Sequence, residues 1–69
     1  MTPAEVKRFV GKQVTIYFIP SAHSLPATGK LIGTVDAADG LVAMLEPANA
    51  RPGSRQSIHY HLIQSIQEN

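Results

Sequence analysis

Three neighbouring side chains near the end of the chain, His59, Tyr60 and His61, are the ones best equipped to contact a ligand. Two histidines at i and i+2 share one face of a strand and could both hold a cation. A zinc site also needs a third or fourth ligand. The chain has no Cys, and no Asp or Glu is placed to join the pair, so neither a metal site nor a cofactor is expected. His61 has a structural alternative, a ring N–H bonded to a carbonyl at the strand junction. Tyr60 stands between Ile58 and Leu62 at period two, which favours packing in a core or subunit interface over a stacking role.

Other groups carry charge rather than chemistry. Lys7, Arg8 and Lys12 form a basic cluster near the start of the chain. Such clusters are usually solvated faces, but repeated around an assembly they would steer a polyanion. Arg51 and Arg55 flank Pro52-Gly53, and solubility accounts for them. Asp36 and Asp39 bracket a tight turn, where backbone hydrogen bonding is the expected role of an aspartate. The sequence has no legible nucleophile-and-base set, phosphate-cradling glycine loop or paired carboxylates, so no enzyme is expected.

The elements that must position these residues are small. The 69 residues make a single domain, 1–69. A chain of about 60 residues buries only about 60% of its unfolded surface, and disulfides, metals or oligomerisation commonly supply the rest. With no Cys, self-association is the expected source of added stability. The same absence suits a reducing compartment. No charged-then-apolar leader is present and no apolar run approaches the roughly 20 residues that span a bilayer, so a cytoplasmic protein with no membrane partner is expected. A net charge of +1 argues against gripping duplex DNA by charge. Single-stranded RNA, held by stacking and base-edge contacts, needs less charge.

Thr2-Pro3-Ala4-Glu5 reads as a helix start: a Thr cap, Pro at the first position and a Thr-x-x-Glu capping box. Val6, Phe9 and Val10 supply an apolar stripe, and Gly11 ends the helix. Period two then predicts a long first strand over 12–19, with Val14, Ile16 and Phe18 on one face. Residues 20–28 read as an exposed loop. A second strand over 29–35 bends at Gly33, and Asp39-Gly40 makes a tight turn. A third strand spans 41–45, a loop 47–54, a fourth strand 56–61 and a fifth 62–67. A short N-terminal helix followed by five strongly bent strands is mainly β and matches a small SH3-like barrel.

Placed in that order, Gly11-Lys12-Gln13-Val14-Thr15-Ile16, Gly29-Lys30-Leu31-Ile32-Gly33 and Leu41-Val42-Ala43-Met44-Leu45 resemble the first motif of the Sm/LSm/Hfq family. His59-Tyr60-His61-Leu62-Ile63 is similar to the Tyr-Lys-His-Ala-Ile run of its bacterial Hfq branch. The resemblance covers roughly residues 3 to 67. It implies an Sm-like fold, a homo-oligomeric ring in which strand four of one subunit pairs with strand five of the next, and single-stranded, uridine-rich RNA held near the pore. It also implies an RNA pocket at Gly40, Leu41, Tyr60 and His61, with Lys7, Arg8 and Lys12 meeting phosphates. Where Hfq usually has Gln-Phe this chain has Gly40-Leu41, and where Hfq has Lys it has Tyr60. Those differences motivate an alternative, an Sm-fold ring that serves structure or protein interaction without RNA.

Overall fold

Thr2 opens the helix as the residue types require. Its hydroxyl oxygen accepts a hydrogen bond from the Glu5 N–H at 3.3 Å, while Glu5 Oε1 accepts from the Thr2 N–H at 3.3 Å and hydroxyl at 3.0 Å. This reciprocal box satisfies donors that a helix start leaves over. The helix, α1, spans Pro3–Lys7. The N–H groups of Arg8, Phe9 and Val10 then bond carbonyls three residues back, tightening the chain before Gly11 turns it at φ +89°. The helix thus stops short of the point the sequence marks. Of its predicted apolar stripe Val6 is buried and Phe9 half-buried, but Val10 is 41% exposed. A computed structural model describes residues 2–38 and 40–69.

Among those residues the rest of the fold is a five-strand antiparallel sheet. The strands are β1 (Gln13–Phe18), β2 (Ala27–Ala37), β3 (Gly40–Pro47), β4 (Gln56–His59) and β5 (Ile63–Glu68). Their spatial order is β4-β3-β2-β1-β5. Sequence neighbours β4 and β5 therefore lie at opposite edges and do not pair, so the sheet is not closed. Two three-residue 3-10 turns interrupt the strands, one at Pro20–Ala22 and one at Tyr60–Leu62.

The register explains the curvature. Leu31 pairs with Leu45 and Gly33 with Met44, leaving Ile32 as an extra residue in β2. A bulge of this kind increases local twist and bends the longer strand. It falls where Gly33 predicts a bend. A second shift, between Tyr17 and Phe18 on β1 against β5, turns Phe18 only partly inward. The β2–β3 hairpin is paired to its tip, Ala37 opposite Gly40; Asp39 of the anticipated tight turn lies outside the described residues.

The core is built from the inward positions of all five strands and the helix. It comprises Val6, Val14, Ile16, Leu31, Leu41, Ala43, Leu45, Ile58, Ile63 and Ile66, with Phe9, Phe18, Ala27 and Tyr60 packed against it. Strand β3 shows the cause most simply, since Leu41, Ala43 and Leu45 alternate inward. Three expected boundaries move. β2, not β1, is the longest strand, because Ala27 and Thr28 pair with Ile16 and Thr15 instead of ending a loop. β3 extends through Pro47. β4 stops at His59, since Tyr60, His61 and Leu62 form a 3-10 turn.

Candidate functional site

The turn between β4 and β5 gathers the side chains with the most chemistry. His59, at the end of β4, is half-buried; Tyr60 is half-buried against the core; His61 is exposed. The two imidazoles do not stand on one strand face as period two predicts. The turn folds the chain so that their ring centroids lie 5.5 Å apart with planes tilted by 43°. The Tyr60 and His61 rings meet edge to face at 5.8 Å. That is within the range in which aromatic rings attract.

Gly40 explains how Tyr60 reaches this place. It adopts φ +135°, and a Cβ built on it would run into Cε1 of Tyr60 and lie 3.0 Å from Cδ1. Only a glycine lets the Tyr60 ring lie directly over the backbone of β3. Gly40 and Tyr60 are thus brought together with His61. Leu41 is not. It is 2% exposed and belongs to the core, so it is withdrawn from the set of ligand contacts.

The basic cluster divides. Lys7 closes α1 and is exposed. Arg8 caps the helix and lines an open cleft of about 470 Å³ between α1 and β5, with Glu5, Phe9, Gln64, Ser65 and Ile66. No local pattern marks this cleft, because its two walls lie more than fifty residues apart in the chain. Lys12 pairs with Glu68 at 3.1 Å, both side chains about half exposed. Such surface pairs contribute only about 0–1 kcal/mol, so Lys12 remains exchangeable to another anion. The Glu5 carboxyl is held below its ordinary value, first by the Thr2 hydroxyl and then by the Thr2 N–H. Its charge belongs to the helix cap.

The sheet's outward side is polar. Thr15 meets Thr28 at 3.2 Å and donates to Asn69 Oδ1 at 3.0 Å, while the Tyr17 hydroxyl reaches Gln67 Oε1 at 3.5 Å. Exposed apolar side chains are scattered, with Leu25 at 87% on the β1–β2 connection the most prominent. Among the described residues no helix is long and apolar enough to cross a membrane. Fold and site together define the class: a small, mainly β protein with one short helix and an aromatic-imidazole turn between its edge strands. No protein-family model, curated protein or solved structure matches the chain.

Proposed function

We propose that the chain is a non-catalytic Sm/LSm/Hfq-like subunit, a strongly bent SH3-like barrel that assembles into a homo-oligomeric ring and binds single-stranded, uridine-rich RNA in the cytoplasm. The observation that carries this reading is the sheet order. β4 and β5 flank a three-residue turn yet occupy opposite edges. An edge strand offers unpaired N–H and C=O groups, and head-to-tail pairing of β4 with the β5 of another copy uses both edges of every subunit. Identical heterologous contacts of this kind close into a ring when the rotation per subunit allows it.

RNA enters through the same turn. His61 is exposed beside Tyr60 and offers ring nitrogens to a base or ribose. Lys7 and Arg8 stand on the helix and supply charge for phosphates. A second reading, a ring that serves structure or protein interaction without RNA, is favoured by one particular observation. Tyr60 packs against the core and over Gly40, and Leu41 is buried, so neither presents an open stacking platform.

Sedimentation of the purified chain tests assembly, and a monomer at micromolar concentration overturns both readings. Fluorescence anisotropy with oligo-U and oligo-A at two salt concentrations separates them. Under the RNA reading oligo-U binds at low salt and weakens as salt rises. His61→Ala then reduces affinity by about 5- to 100-fold if the ring contributes as base contacts usually do, and Arg55→Ala leaves it nearly unchanged. No binding at low salt gives the second reading.

A further inference from the structure

We propose that His59 and His61 form a two-histidine surface chelate for a borderline divalent transition cation of the Zn2+, Ni2+ or Cu2+ class. His59 ends β4 and His61 lies in the Tyr60–Leu62 turn, and their ring centroids are 5.5 Å apart. Imidazole nitrogen binds zinc at about 2.0–2.1 Å, which puts each ring centroid about 3.2 Å from the ion and two centroids about 5.2–5.5 Å apart at coordination angles of about 110–120°. The observed 5.5 Å is short enough for the two rings to share one ion.

The surroundings favour the same chemistry. His59 is half-buried and so restricted, whereas His61 is exposed and can turn about its side-chain torsions to aim a nitrogen. Tyr60 limits where His61 can go, because its ring meets the imidazole edge to face and is itself seated on Gly40. The ion thus enters from solvent onto a partly preorganised pair. No group of three or more His, Cys, Asp or Glu comes together among the described residues. The chelate is accordingly an open one, with water in the remaining coordination positions. Imidazole selects copper, nickel and zinc, whereas magnesium and calcium prefer oxygen ligands. The ion is held by neutral imidazole nitrogens, the usual histidine donors to these metals.

This site needs neither RNA nor assembly, so its failure leaves the proposed function standing, and the reverse holds too. The test titrates the full chain with ZnCl2 by calorimetry, with MgCl2 as control, and follows the imidazole signals by NMR during addition of trace NiCl2. Zinc binds and magnesium does not. His59→Gln and His61→Gln each weaken zinc binding by at least about tenfold, because each removes one arm of a chelate, and His23→Gln leaves it unchanged. In the unaltered protein the His59 and His61 signals broaden together at substoichiometric nickel, before that of His23. Equal broadening of all three histidines, or zinc affinity that survives either single substitution, overturns the proposal. The nickel readout needs no variant, so loss of folding in a variant does not obscure the result.

Discussion

Gly40 and Tyr60 act as one unit, and the turn's geometry depends on both. Gly40→Ala places a methyl against the tyrosine ring while holding a non-glycine residue at φ +135°. Strain and overpacking of this kind cost on the order of 1–3 kcal/mol each. Urea unfolding should show a lower midpoint, and the Tyr60 and His61 resonances should shift even where the fold survives. A midpoint equal to that of the unaltered protein would show that the ring moves aside freely, and the turn could no longer be called preorganised. Leu41 carries the opposite lesson. Its place in the core was legible from the alternation of Leu41, Ala43 and Leu45, which puts all three on one face. The resemblance implies a ligand pocket at Leu41, whereas the residue lies on the inward face of β3 with Ala43 and Leu45.

Among the elements, the helix start was legible because its chemistry is local. Thr2, Pro3 and Glu5 satisfy one another within one turn, whatever the rest of the chain does. The bulge after Leu31 was legible for the same reason, through Gly33. Of the Tyr60–Leu62 turn, the break at His61-Leu62 between the fourth and fifth strands was legible, but its start at Tyr60 was not, because Ile58, Tyr60 and Leu62 alternate as a strand would. What fixes the turn is distant: Tyr60 finding room over Gly40, twenty residues earlier in the chain. The extension of β2 back to Ala27 likewise has no local signature, because its pairing with Ile16 is tertiary.

The local character of the cap gives a pH dependence of definite sign. Glu5 is depressed mainly by the Thr2 hydroxyl, then by the Thr2 N–H. A carboxylate whose folded value lies below its unfolded one contributes stability above the unfolded value. That contribution drains away as pH falls through the depressed folded value. Protection of the α1 amides against hydrogen exchange, relative to the intrinsic exchange rate at each pH, should therefore fall in acid as the Glu5 carboxyl titrates by NMR. Thr2→Ala should move that titration back up toward the ordinary glutamate range. An unmoved Glu5 titration in Thr2→Ala would remove the hydroxyl as the main cause.

At the scale of the whole molecule, two features bear on each other: a small core and two sheet edges. Ten residues form the buried apolar cluster among those described, and β4 and β5 each have a strand on one side only. For a chain this short, stability borrowed from neighbours is the ordinary solution. Edge pairing between copies would supply it by extending one antiparallel sheet from subunit to subunit. Assembly of this kind is coupled to folding by mass action, so the unfolding midpoint must depend on protein concentration. Each tenfold rise in concentration adds up to about 1.4 kcal/mol per chain for a large ring. In a domain of 60–100 residues a change of about 1 kcal/mol moves the midpoint by about 4–8 °C. Thermal unfolding at about 5 and about 500 μM should therefore differ by about 10–20 °C if subunits of a large ring dissociate as they unfold. Identical midpoints, together with a monomer in sedimentation, would mean that the core suffices alone and that the edges of β4 and β5 serve some other partner.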